Sequence, residues 1–323
     1  MQNFDDFPTL EEVKKGIQLL IGYKWPVFNS TDDIDQHVKK ITDKLFECFK
    51  VIPDMMYIHS HVKPLPISFF RARPLDTFND KSLISEYKST PINLCKNVQR
   101  CNFPYKPVFY SSNDAGTALM EIIRNEPFDV ERKYLISKWV ISNDLNTKVI
   151  PYLYSDLPEQ NGFRLFGDKV LERIPEVFEQ NLTDSQVKGL RLYFNYLASI
   201  FTENNYSLSA SLVHRILYAN HNYRADLFLY PSVQTDRKSI NIAIHPNFVD
   251  TNMKLVRVYS VQVNKINKDA GEFNINIDKY GTIEGSIIMW KNIKPDDENY
   301  MKSVEEDFGS LGKSEFIPKN HAL

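Results

Sequence analysis

The chain is poor in glycine, with 11 in 323 residues, and none falls into a G-x-G-x-x-G or Walker-type loop. The backbone cradles with which many nucleotide-binding loops hold phosphate are therefore missing. Cysteine is scarcer still. Cys48, Cys95 and Cys101 are odd in number and irregular in spacing, which argues against a disulfide framework and against a zinc knuckle. Of seven histidines, only His59 and His61 stand close together, and no third ligand is suggested, so no metal site is expected. G-x-S-x-G and H-E-x-x-H are absent too, which removes the common serine-hydrolase and zinc-protease signatures. No apolar run approaches the roughly 20 residues that span a bilayer. The start, MQNFDDFPTLEEVKK, has no basic stretch leading into an apolar core, so a cytoplasmic protein without membrane contact is expected. A net charge of −2 gives no global basic field for nucleic acid.

What is present is an ordinary globular balance, long enough for a sizeable core. The first 60 or so residues read as helical. Thr9 and Glu12 form a capping box at the head of TLEEVKKGIQLLIGY. Ser30 or Thr31 opens a second helix with an apolar stripe at Ile34, Val38, Ile41, Leu45, Cys48 and Ile52. Strands follow at about 67–72 and 107–111. Ser112, Asn113 and Asp114 offer caps for a helix running to about Asn125, and KYLISKWVIS reads as a strand. Residues 169–220 are mainly helical, including KVLERIPEVFEQ. Strands return in ADLFLYPSV, SINIAIHP, KLVRVYSVQVNKI, EFNINID and GSIIMWK. The acidic tail after Ile293 reads as loosely held. Strands and helices intermingle without strict alternation, so the fold class is α+β. Three consecutive segments are expected: a helical extension over 1–63, a main domain over 64–265, and strands with a charged tail over 266–323.

Five short motifs then stand in order: FFRAR, QRCN, PVFYSS, TALMEI and LYPSV, followed by the asparagine-bearing strand SINIAIHP. Together they resemble the RES domain, named for its arginine, glutamate and serine. The resemblance covers about 200 residues, from Pro66 to Val263, and includes the spacing of ten between Arg100 and Tyr110. The sequence departs from that pattern before the second arginine, where Val98 and Gln99 replace two glycines, and after it, where Cys101 replaces tryptophan. The resemblance implies an ADP-ribosyltransferase-like fold, with a split mixed or antiparallel sheet and flanking helices. It also implies a toxin-like enzyme that takes NAD as substrate, needs no other cofactor, and breaks the nicotinamide–ribose bond by hydrolysis or phosphorolysis. Family members are usually paired with a small helix-turn-helix antitoxin. A homo-oligomer is also open.

The chemistry suits the matched residues. Nicotinamide departs neutral, so the difficulty lies in the positive charge developing on the ribose, which a single carboxylate stabilises electrostatically. Glu121, flanked by Met120 and Ile122 on a helix, is the candidate. Arg71 and Arg100 suit a diphosphate, since a guanidinium fork binds phosphate oxygens in pairs. Arg73 shares a strand face with Arg71 and is the weaker of the two. Tyr110 offers a ring for stacking and a hydroxyl for a ribose or phosphate oxygen. Ser232 and Asn241 offer hydrogen bonds to the ribose or the carboxamide. Two other readings stay open: transfer of ADP-ribose to a protein or nucleic acid, although no E-x-E pair is present, and a binding module without catalysis.

Overall fold

A computed structural model describes residues 7–51, 60–62, 67–123, 132–142, 147–153, 156–172, 182–218, 224–267, 272–293 and 297–308. In chain order the helices are α1 (Leu10–Leu20), α2 (Ile34–Phe49), α3 (Ala115–Ile123), α4 (Arg164–Glu172), α5 (Asp184–Ser199), α6 (Tyr206–Leu217), α7 (Pro246–Asn252) and α8 (Glu298–Phe308). The strands are β1 (Ser60–Val62), β2 (Phe69–Pro74), β3 (Phe109–Ser112), β4 (Arg132–Ile141), β5 (Thr147–Pro151), β6 (Leu227–Pro231), β7 (Ile240–Ile244), β8 (Met253–Asn267), β9 (Glu272–Glu284) and β10 (Ile287–Asn292). The protein is α+β, with both parallel and antiparallel strand pairs. No helix among the described residues is long and apolar enough to cross a membrane.

The chain forms two compact units, each drawn from separated stretches. The first takes Met1–Pro64, Ser89–Phe109 and Leu145–Phe248, and the second takes Leu65–Lys88, Tyr110–Asp144 and Val249–Leu323. The seam expected at 265 lies inside β8, whose residues up to Asn267 remain paired with β9.

In the first unit β1 pairs antiparallel with β5, β5 parallel with β6, and β6 antiparallel with β7. Every residue of β6 and β7 is buried, which explains their unbroken apolar sequences LFLYP and INIAI. Helix α1 begins with the expected capping box, in which Thr9 and Glu12 bond reciprocally. It packs closely on two neighbours because glycine stands at each crossing. A Cβ on Gly189 of α5 would lie 2.6 Å from the Pro8 carbonyl oxygen, and one on Gly16 would lie 2.7 Å from that of Cys48. Helix α2 is capped by Asp33, which accepts from the Gln36 N–H, rather than by Ser30 or Thr31. Asp32 is occupied with the backbone of Asn29 instead, at 2.7 Å. Of the expected stripe Val38, Ile41 and Leu45 are buried, with His37, Thr42 and Phe49 added to it; Ile34 and Cys48 are half-buried, and Ile52 lies outside the described residues.

The second unit is an antiparallel run in the order β3-β2-β4-β8-β9-β10. Phe70 pairs with Ser112 and Lys138, fixing β2 between β3 and β4. One face carries Phe70, Ala72, Ile136 and Tyr259, packed against Ala118 and Leu119 of α3 and Val304 and Phe308 of α8. The part of the tail over Glu298–Phe308 is therefore not loose. Tyr300, Val304 and Phe308 recur every four residues and bury one side of α8.

Candidate functional site

Within the second unit, strand alternation decides where the β2 arginines go. Phe70 and Ala72 face the α3 core, so Arg71 and Arg73 leave by the opposite face. Arg73 is committed to its own loop. It donates to the Glu86 carbonyl and, at 2.9 Å, to that of Thr77, and its guanidinium lies 4.2 Å from the centre of the Phe78 ring. Arg71 is half-buried. Burial, and then the neighbouring Arg73 charge, lower its pKa to about 9, while Tyr110 on β3 acts in the opposite direction. The structure thus brings Arg71 and Tyr110 together.

Glu121 lies in the last turn of α3, half-buried. The head of that helix is fixed by Asp114, which accepts from the Thr117 N–H and from the Thr117 hydroxyl, each at 2.7 Å. The helix is described to Ile123, and the expected continuation to Asn125 lies outside the described residues. Because α3 covers the face lined by Phe70 and Ala72, the helix that carries Glu121 and the Arg71 side chain lie on opposite faces of β2, and the structure does not bring these two residues together.

The first unit holds the remaining residues. QRCN closes on itself: the backbones of Gln99 and Asn102 bond in both directions, at 3.0 and 3.3 Å, leaving Arg100 and Cys101 at the tip. Asn102 is buried, and its amide donates to the carbonyls of Asn97 and Phe103 at 3.2 and 3.0 Å. The Arg100 guanidinium donates from Nη1 to the carbonyls of Phe201 and Glu203, and it sits 5.0 Å from the Tyr206 ring centre. Arg100 therefore ties its loop to the segment after α5. The two replaced glycines bring no backbone strain. Neither Val98 nor Gln99 has a positive φ, and Val98 packs against the cluster of Phe28, Val38 and Phe103.

Ser232 and Asn241 are interior, at 0% and 6% exposure. Asn241 stands on β7 opposite Tyr230. The Ser232 carbonyl accepts from the Arg237 N–H at 2.9 Å, closing a tight loop in which Asp236 and Arg237 both have positive φ. Two open clefts of the first unit lie elsewhere. One is lined by Gly16, Leu19, Phe46 and Phe49 of α1 and α2, and the other by Tyr23, Lys40 and Lys44. Neither includes any of the six matched residues.

His214 is a structural histidine. Burial first, and then the Lys106 charge, lower its pKa to about 4, and its ring stacks on Tyr218 at 5.5 Å. His59 lies outside the described residues, and no group of three metal-ligating side chains occurs among those described.

A polar cluster escaped the sequence reading. Asp307, 3% exposed, receives Lys138 Nζ at 2.5 Å and the Tyr259 hydroxyl, with Arg257 Nη1 at 3.5 Å. Its acidic neighbours Glu305 and Glu306 made it look like part of a solvated run. The four-residue spacing of Tyr300, Val304 and Phe308 was the signal that could have revealed it. Compared with known proteins, the chain matches no protein-family model and no curated protein.

Proposed function

We infer that the protein cleaves the nicotinamide–ribose bond of NAD and consumes the dinucleotide by hydrolysis or phosphorolysis. The observation that carries this reading is the placement of Arg71, half-buried on the β2 face away from α3 and in the same unit as Tyr110. A diphosphate would relieve both the desolvation and the Arg73 repulsion. The ordered motifs supply the rest of the assignment. Arg71 takes the diphosphate, whereas Arg100 holds its own loop to the carbonyls of Phe201 and Glu203 within the first unit. Tyr110 stacks on or hydrogen-bonds the nucleotide. On the family resemblance alone, Glu121 is the group set against the ribose, where it offsets the charge that grows as the C–N bond breaks. Its electron pair leaves with nicotinamide. An oxygen of water or phosphate then bonds to the ribose carbon, giving ADP-ribose or its phosphate ester, and the water route releases a proton. Ser232 and Asn241 are buried within the first unit and are given no part in this assignment. A restraining helix-turn-helix partner rests on the family resemblance alone.

The test is to incubate purified protein with NAD, with and without phosphate, and to follow nicotinamide and the sugar product. Glu121→Gln keeps the shape and removes the charge. It should slow nicotinamide release at least roughly 100-fold, in the range seen when one preorganised electrostatic group is lost. A variant as fast as the parent removes Glu121 from the mechanism. A folded parent that releases no nicotinamide overturns the reading, and label from NAD retained on a macromolecule moves it to transfer.

A further inference from the structure

Helices α1 and α2 line a cleft of about 650 Å³, a size at which small molecules are bound. Phe7 and Phe49 are buried in its wall, while Leu19 and Phe46 stand 58% and 44% exposed. Large apolar side chains left open together in a concavity mark a binding surface rather than a core. A second cleft, of about 460 Å³, shares Glu47 with the first and adds the charges of Lys24, Lys40, Asp43 and Lys44. Every residue lining either cleft belongs to the stretch Met1–Pro64 of the first unit.

The charged residues divide by sign. Each carboxylate is already answered within the chain: Glu12 accepts from the Thr9 N–H at 2.8 Å, Asp43 pairs with Lys39 at 2.5 Å, and Glu47 pairs with Lys44 at 2.9 Å. Lys50 stands at the C-cap of α2, where a helix end favours a cation. Lys15 in the first cleft, and Lys24 and Lys40 in the second, meet no carboxylate among the described residues. Two such ammonium groups against one make the second cleft the more cationic, and the aromatic and aliphatic side chains make the first the more apolar. The α2 residues that line them run from Lys40 to Lys50, about 15 Å at the helical rise. A twofold contact with a second copy of this surface would set the lysines against like charges, since the copy's carboxylates are engaged too. A flat lipid surface would leave the concavity unfilled.

We propose that the adjoining clefts of α1 and α2 bind a single-chain amphiphile with an anionic head, its chain against Leu19, Phe46 and Phe49 and its head at Lys24 and Lys40. The site is independent of NAD cleavage. It is tested by calorimetry on the full chain, below the micelle concentration, with dodecyl phosphate, octyl phosphate, inorganic phosphate and dodecyltrimethylammonium. Dodecyl phosphate should bind one to one and raise the melting temperature. Octyl phosphate should bind at least about tenfold more weakly, since each buried methylene is worth about fourfold. Inorganic phosphate and the cationic amphiphile should not bind. Lys24→Glu with Lys40→Glu, and separately Phe46→Glu, should each weaken dodecyl phosphate at least about tenfold. All three positions are exposed, so both variants should melt like the parent. Independently of any variant, dodecyl phosphate should slow alkylation of Cys48, which lines the first cleft, and leave that of Cys95 unchanged. No binding of dodecyl phosphate, equal binding of the cationic amphiphile, a lowered melting temperature, or an unprotected Cys48 overturns the proposal. So do folded variants that bind like the parent. Flotation with anionic phospholipid vesicles without binding of the soluble amphiphile overturns it in favour of a membrane. Dimerisation that Phe46→Glu abolishes, again without amphiphile binding, overturns it in favour of a second copy.

Discussion

In the first unit, two largely buried titratable groups are imidazole rings packed among aromatic rings. His37 sits edge-on to Phe28 at 5.3 Å and to Phe103 at 5.7 Å, and His214 lies between Phe103 and Tyr218. In the second unit the buried group is an ion, with Lys138 and Arg257 gathered on Asp307. The rings give up their charge to be buried: desolvation lowers the pKa of His37 and, more strongly, that of His214. The ion cluster instead answers charge with charge, and the Tyr259 hydroxyl fills a further acceptor site on the carboxylate. The difference teaches that one chain can meet the same desolvation cost in two ways, which leave it open to different insults. Rings are exposed to acid, and ions to loss of a partner.

The sharpest way to break this comparison is Asp307→Ala. Two cations would lose their buried counter-charge, and urea unfolding should show a loss of about 3–5 kcal/mol. Replacing Lys138 and Asp307 together by Met and Leu should recover most of that loss, because an apolar pair of similar volume often replaces a buried ion pair at little cost. A single variant within 1 kcal/mol of the parent would show that the ions are decorative.

Acid probes the first unit. A histidine whose pKa falls on folding binds fewer protons folded than unfolded, so its share of stability is present above the unfolded value and drains as the pH drops towards the folded one. For His214 that window runs from 6.5 down to about 4, and at about 1.4 kcal/mol per unit it is worth roughly 3 kcal/mol. Asp35, 3.9 Å from Nε2, opposes the shift, whereas Lys106 and Arg215 add to it. His37 loses stability in the same direction, with Asp32 opposing and Lys40 adding. His214→Leu should flatten the acid limb of a stability profile, and an unchanged slope would remove His214 from it.

Two smaller effects sharpen the contrast by testing how the first unit is packed. Gly189→Ala would push a methyl group towards the Pro8 carbonyl and should cost about 1–3 kcal/mol, read as a lowered urea midpoint. Thr9→Ala removes the cap beside that contact and should cost about 1 kcal/mol by the same measurement.

Much of this architecture is legible in the sequence because its signals are local. Thr9 and Glu12 are three residues apart, and LFLYP and INIAI declare burial on both faces by composition alone. Asp33 as a cap was harder to see, since Ser30, Thr31, Asp32 and Asp33 all have the chemistry and only folding chose among them. The site residues divide in the same way. That Arg71 and Arg73 share a face follows from alternation, but Arg73's bond to Glu86 spans 13 residues and Arg100's bond to Phe201 spans 101. No spacing rule reaches that far. The grouping of Arg71, Tyr110 and Glu121 in one unit and Arg100, Ser232 and Asn241 in the other arises from a chain that leaves each unit and returns, which linear boundaries do not capture.

The ion cluster also has a bearing on the order in which the molecule is made. Asp307 emerges 169 residues after Lys138. At about 5–20 residues per second, the growing polypeptide carries that lysine for roughly ten seconds or more before its counter-ion exists. During synthesis α3 is available to this apolar face from the start, but the part that Tyr300, Val304 and Phe308 cover lacks its closing helix until α8 leaves the ribosome. That interval is when a chaperone would find the most to hold.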